Sequence, residues 1–479
     1  MATLIKSFFS KLFPILPHER QKFILFAFIM FGILYIGGSL RSIKDSIIVP
    51  SIGSIYLSFI DLYWVLPSSV GFTILYTKLT NILSRNQIFI GVLVIYACFF
   101  IVFGYNIYPA FTATIYPEFT PTTTSEYLSV LWQKLPLTIF AVSVELWSPI
   151  ILVLSFWQFI NSNVYIAQAK RFYPYLGLIS NFALIIAGIM IRELSYALSD
   201  LAFITVNMTI LASIIVGIIM LLTYTNNYLE QLDEPELKAF KTPDSKLKLT
   251  VWESIKVITT SKYLLQIFIM IICYGVINNI MEIRLKEIAK ELYTTQNAYA
   301  SFMGLFISSI GVATILMMLV GGYMLRNYGW KVTAFTPPII ALITSIIFFS
   351  MNILKNLNSL IDYHLFLQIT VIVGALSLIF IKSSKYSLFD NTKEMSYIPL
   401  PNELKIKGKA AIDLIGTRIS DSGGAAIQSS LIILISAAHM NLYILAVGIS
   451  CIMICALWLK AVKTLNILYH QELEKHQSH

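Results

Sequence analysis

Four ionisable side chains sit within or at the ends of long apolar runs, where a charge is costly. Glu145 lies in AVSVELWSPIILVLSFW, residues 141–157, and the apolar stretch continues well past it. Lys44 ends the first apolar run in LRSIKDSIIVP, with Arg41 one turn earlier. Glu282 ends another in NNIMEIRLK, with Arg284 and Lys286 beyond it. Lys385 ends a third in IKSSKYSLFDNTKE, which also holds Tyr386 and Lys393. An ionisable group in mid-membrane costs about 2.5–3.5 kcal/mol on insertion scales and is normally turned toward a cavity or a partner. Several cations on one cavity wall suit a polyanion, because guanidinium forks grip phosphate oxygens and ammonium groups act as point charges.

The same residues have a structural reading. Lysines and arginines near the ends of apolar runs reach the interface along their aliphatic stems. We prefer that reading for Arg284, Lys286 and Lys290, and the functional one for Glu145. Trp147, Trp157 and Tyr386 are close enough in sequence to stack on a base or ring. Bundle packing or an interface belt accounts better for Trp157 and equally well for Tyr386. Arg418, in AAIDLIGTRISDSGGAAIQ, is a further intramembrane cation; Asp413, Asp421 and a Gly-Gly pair flank it, which implies close helix approach and local pairing.

The elements that must position these groups follow from composition. The chain has 479 residues, 57% hydrophobic and 12% charged, against about 25% charged in a water-facing protein. Runs of about 20 apolar residues, each enough for one crossing, recur along its length. Twelve spans are expected: 23–41, 57–77, 88–108, 136–160, 173–192, 201–224, 263–282, 299–321, 332–353, 364–383, 410–437 and 440–460. Most lysines and arginines fall in the N-terminus, alternate loops and the C-terminus, which places both termini in the cytoplasm. That bias also explains the net charge of +9 without nucleic acid as a partner. Cys98, Cys273, Cys451 and Cys455 all lie in apolar runs and read as buried thiols, since no CxxC pairs with histidine. His470, His476 and His479 read as a solvated tail. Neither GxxxxGK[ST] nor HExxH occurs, so nothing points to ATP hydrolysis, an enzyme, a metal or a cofactor.

The expected division is a cytoplasmic lead-in (1–22), a six-helix bundle (23–224), a cytoplasmic linker (225–262), a second six-helix bundle (263–460) and a cytoplasmic tail (461–479). The lead-in is basic and lacks a cleavable apolar core. KFILFAFIMFGILYIGGSLRSIKD (22–45) aligns without gaps on KYLLQIFIMIICYGVINNIMEIRL (262–285), so the halves read as a duplication. At that offset Glu145 falls on Lys385, and Lys44 falls within two residues of Glu282. Each half then supplies one acid and one base from its first and fourth spans, with the signs exchanged. GGYMLRNYGWK (321–331), glycines then a basic turn, resembles a loop of the major facilitator transporters. An all-α, major-facilitator-like membrane protein is expected, with its site between the halves near the midplane. Glu145 would there face lysines of the other half.

LRSIKDSIIVPSIG, VLPSSVGFTILYTKLTN, VELWSPIILVLSFWQFIN, AKRFYPYLGLISN, KYSLFDNTKEMSYIPLP and KGKAAIDLIGTRISDSGGA resemble, in order, segments of the bacterial and plastid ATP/ADP translocases, also called nucleotide transporters. The resemblance covers nearly the whole chain. It implies a nucleotide antiporter of the inner membrane of an intracellular bacterium, exchanging host ATP for bacterial ADP by alternating access, with the nucleotides and the lipid bilayer as its partners; a monomer is one option, and the oligomeric state stays open. It also implies that Lys44, Glu145, Glu282 and a lysine of the KYSLFD segment serve transport; we place the last at Lys385, with Lys393 as the fallback. The chain departs from the family pattern at Ile55-Tyr56, at Asp61 and after Glu282. Members of similar sequence carry GTP, CTP or UTP, some with protons, and those cargoes stay open beside ATP and ADP.

Overall fold

The computed structural model describes residues 15–115, 121–232, 256, 258–357, 362–435 and 439–477, and every regular element among them is helical. Long apolar segments have no alternative in lipid, because a helix satisfies its own backbone groups without water. The long helices, in order, are α1 (Pro17–Ile52), α2 (Ile55–Tyr76), α3 (Arg85–Ala113), α4 (Leu135–Asn163), α5 (Ile166–Ala197), α6 (Asp200–Gln231) and α7 (Lys262–Leu292), with a short helix, Thr124–Gln133, ahead of α4. A run from Gln296 to Leu357 is broken at Gly329, whose φ of 75° and ψ of −175° suit glycine alone. Residues 296–328 and 330–357 are therefore α8 and α9. The expected loop at GGYMLRNYGWK shrinks to this one residue. Next come α10 (Tyr363–Ser396), α11 (Asn402–Ile435) and α12 (Met440–Gln477).

Among the described residues ten helices are long and apolar enough to cross a membrane, the Gln296–Lys355 run being one of them. In α11 the shorter segment Ser422–Ile435 is the apolar part. The expected tail is helical as far as Gln477. The lead-in up to residue 14 and most of the linker lie outside the described residues. Of the four thiols, Cys273, Cys451 and Cys455 are buried as expected, whereas Cys98 is exposed on the surface of α3.

The helices alternate in direction. Lys22 donates to Gln168 at 3.0 Å and Asn86 to Asn226 at 3.0 Å, which gathers the starts of α1, α3 and α5 and the end of α6 at one end of the bundle. Tyr263 donates to the Ser396 carbonyl at 2.7 Å and Trp330 to the Thr392 carbonyl at 2.9 Å, doing the same for α7, α9 and α10. This end, which holds the start of α1 and the end of α12, is called the near end.

The halves meet toward the far end. Asn297 donates to the Leu198 carbonyl at 2.7 Å, and the Tyr108 hydroxyl reaches Gln296 at 2.5 Å. Ile48, Val49, Tyr56 and Phe59 of the first half join the apolar core of the second. The most extensive helix contact is α5 on the Gln296–Leu357 run. There the backbones touch: a Cβ on Gly188 would lie 2.2 Å from the Gly304 carbonyl and from Ser308 Oγ. The near-end contacts named above each stay within one half, whereas the named contacts between the halves lie toward the far end.

The turns widen in four helices: over Asp61–Val65 in α2, Phe103–Ile107 in α3, Ser148–Phe156 in α4, just after Glu145, and Lys385–Phe389 in α10. Such wide turns, with i→i+5 bonds, are uncommon and often sit at functional sites.

Candidate ligand cavity between the halves

Between the halves lies a cavity of about 550 Å³, inside the range of 300–1,000 Å³ of small-molecule sites. Its ionisable lining is Arg41, Lys44, Lys286, Lys382, Lys385 and Lys393 against Asp45, Asp61, Glu145, Glu282 and Asp390. Apart from Asp61 on α2, the carriers of these groups are helices that correspond in the duplication: α1 and α4 in one half, α7 and α10 in the other. Arg41, Lys44 and Asp45 share one face of α1. Asn278, Asn279, Glu282 and Lys286 follow at three- and four-residue steps along α7, the spacing of one helical face.

The charges form a chain of alternating sign. Lys44 Nζ bonds Glu145 Oε1 and approaches Asp45 Oδ1 at 3.3 Å. Asp45 Oδ2 lies 2.9 Å from Lys286 Nζ, which also holds Glu282 Oε1 at 2.8 Å. Glu282 Oε2 then takes Lys382 Nζ at 2.7 Å. Glu145, Lys44 and Asp45 belong to the first half, and Lys286, Glu282 and Lys382 to the second. The bridge from Asp45 to Lys286 joins them. Each charge thus has an opposite neighbour, without which a buried ion is strongly destabilising.

Three more cations stand nearer the mouth. Lys385 Nζ lies 3.2 Å from Asp390 Oδ2 and 4.3 Å above the Tyr386 ring. Lys393 lies 3.3 Å from Glu394. The Arg41 guanidinium is exposed to the cavity and makes no hydrogen bond or ion pair among the described residues. Arg41 is therefore the cation best placed to receive an anion without displacing a carboxylate.

The structure brings Lys44, Glu145, Glu282, Lys385, Arg41, Tyr386 and Lys393 to this one cavity. Arg418 lies on α11, and its side chain is outside the described residues. Three expectations change. Glu145 meets Lys44 of its own half rather than lysines of the other, because α1 and α4 are neighbours and present both groups at one level. The corresponding pair in the second half is Glu282 with Lys382, so the signs do exchange, but through the lysine one turn before Lys385. Lys286 is no interfacial snorkel; it is buried in the centre of the ionic chain. Arg284 is buried too, but it points into the second half, where Nε donates to Asn352 at 3.2 Å and Nη1 to Glu287 at 2.6 Å.

Trp147 cannot stack on a ligand. It is 1% exposed, donates to the Ile33 carbonyl at 3.1 Å and packs edge-on to Tyr96. Trp157 packs against Tyr173, and Tyr386 is the aromatic of the three that faces the cavity. Sequence reasoning passed over Asp45, Lys382 and Asp390, named Asp61 only as a departure from the family pattern, and gave Lys286 an interfacial place. Helical spacing was the available signal: Lys286 is four residues after Glu282, and Lys382 three before Lys385. Among the described residues no group of three His, Cys, Asp or Glu side chains is arranged to hold a metal ion.

The family model of the TLC ATP/ADP transporters matches residues 2–469. ADP,ATP carrier protein 4 of Rickettsia felis is 35% identical, over 98% of this chain and 97% of its own. ADP,ATP carrier protein 3 of Rickettsia prowazekii is 38% identical, over 97% of this chain and 98% of its own. Among solved structures, a bacterial homologue of the iron transporter ferroportin in its inward-facing state superposes with a TM-score of 0.59 at 14% identity, covering 91% of this chain and 98% of that one. A POT family transporter in complex with 5-aminolevulinic acid gives 0.58 at 11% identity, covering 93% and 96%. At such identities the likeness speaks to the fold alone: a major-facilitator-like membrane protein.

Proposed function

Because this chain belongs to the TLC ATP/ADP transporter family, we propose that it exchanges nucleotides across the bacterial inner membrane, host ATP entering for bacterial ADP, by alternating access at the central cavity. The carrier crosses twelve times, α11 included, with the near end and both termini in the cytoplasm. The observation that carries the reading is the alternating ionic chain between the halves. Six basic and five acidic groups line the cavity, so its charge is nearly balanced when empty. A polyphosphate binds by engaging Arg41 and by competing with Glu145 and Glu282 for Lys44, Lys286 and Lys382. Lys385 and Lys393 supply further positive charge toward the mouth, and Tyr386 offers a ring face to the base. In this reading the carboxylates hold the lysines charged and in place between loads. The names of its relatives favour ADP and ATP over the other nucleotides.

Purified carrier in proteoliposomes tests this. Labelled ATP is expected to enter only when the vesicles hold ADP, an uncoupler that collapses the pH gradient should change little, and Lys44→Ala or Glu145→Ala should abolish uptake. Uptake unchanged in both variants would remove these residues from the site.

A further inference from the structure

We propose that Asp45 is a positioning residue that latches the two halves together over an empty cavity, and that phosphate binding releases it. The inference rests on the exchange reading above and adds the means by which exchange is enforced. Asp45 is the carboxylate of the ionic chain that is shared between halves, with Oδ2 at 2.9 Å from Lys286 and Oδ1 at 3.3 Å from Lys44. Its Oδ1 is buried and lacks an aligned hydrogen bond, so the lysines are its main compensation.

The three acids of the chain differ in access to water. The side chains of Glu145 and Glu282 are 32% and 22% exposed, whereas that of Asp45 is 2% exposed. When phosphate oxygens draw Lys44 and Lys286 toward the ligand, the two glutamates can be rehydrated by the cavity. Asp45 cannot. A carboxylate left without its cations in a dry site is strongly disfavoured, and it regains water only if the halves part at its level.

That level is at the closed side of the cavity. Asp45 lies close to the far end of α1 and Lys286 close to the far end of α7. The Tyr108–Gln296 and Leu198–Asn297 contacts and the Gly188–Gly304 crossing also lie toward that end. Ligand binding at the lysines thereby favours opening of the far end. An empty carrier keeps Asp45 paired and stays shut. Strict dependence on a counter-substrate follows.

The test uses the full-length carrier in proteoliposomes. Asp45→Asn should raise labelled ATP uptake into vesicles without internal nucleotide by about tenfold, the scale on which a modest shift in state populations is read, while equilibrium ATP binding is retained. Asp45→Glu should restore dependence on internal ADP. An Asp45→Asn carrier that binds ATP yet requires internal ADP as the wild type does would overturn the latch. If Asp45→Asn does not fold, a cross-link made by a short bifunctional thiol reagent between Tyr108→Cys and Gln296→Cys in the otherwise unaltered carrier reports the far end directly. Its yield should fall with ATP and with inorganic tripolyphosphate but not with adenosine; a yield indifferent to saturating ATP overturns the proposal. Absence of any exchange by the wild type would instead defeat the exchange reading, an outcome distinct from failure of the latch.

Discussion

At the scale of single residues, the exchange reading assigns the cavity some charges that bind and others that hold. Arg41 makes no hydrogen bond or ion pair among the described residues, so its loss should leave the fold intact and weaken nucleotide binding. A hydrogen bond to a charged group contributes about 1.5–3 kcal/mol, and Arg41→Ala should accordingly raise the half-saturating nucleotide concentration about ten- to a hundredfold. Arg41→Lys should recover only part of this, because an ammonium cannot reproduce the two-pronged grip. The concentration dependence of exchange, with a thermal melt as the folding control, reads both. Much of this layer was legible in sequence, since a charge inside an apolar run is conspicuous. Lys44, Glu145, Glu282 and Lys385 announce themselves that way. Lys286 and Lys382 do not, because they stand beside the polar ends of their helices, where a solvated lysine looks the same. Who pairs with whom was not legible at all: pairing depends on which helices are neighbours, and Glu145 meets Lys44 across α1 and α4.

At the scale of elements, the close crossing of α5 and α8 has no room for a side chain. Gly188→Ala places a methyl against the Gly304 carbonyl. Overpacking of this kind costs about 1–3 kcal/mol, and here it falls on a contact between the halves. The variant should lower the melting temperature in detergent and reduce exchange, with ATP binding changed far less. Full exchange at an unchanged melting temperature would show that the helices part there without effort. Gly188 gave no warning in sequence, as a glycine in an apolar helix has many ordinary uses. The break at Gly329 was half visible. GGYMLRNYGWK reads as a turn, but its glycines and basic residues suggest a loop, whereas the chain needs only one glycine with positive φ to reverse direction.

For the molecule as a whole, the architecture was the most legible layer. Apolar runs of fixed length lead to an all-helical, major-facilitator-like membrane protein, because lipid allows so few solutions. The exchange reading carries an electrical prediction at this scale. ATP bears one more negative charge than ADP, while the charges of the protein return to their starting places in each cycle. Exchange should therefore respond to membrane potential at about 2.3 kcal/mol per elementary charge per 100 mV. An inside-positive potential, set with valinomycin and potassium, should raise ATP accumulation against ADP; accumulation indifferent to voltage would speak against unlike charges being exchanged. The widened turns in α4 and α10 bear on how the two bundles are phased. A residue added to a turn rotates everything after it by about 100°, so each helix presents one face before the insertion and another beyond it. In α4 the wide turns begin three residues after Glu145 and in α10 they begin at Lys385, so in each bundle the face that carries the cavity charge differs from the face presented beyond it. The wide turns of α2 and α3 have no counterpart among the described residues of the second half, so the two bundles match at the cavity and differ away from it.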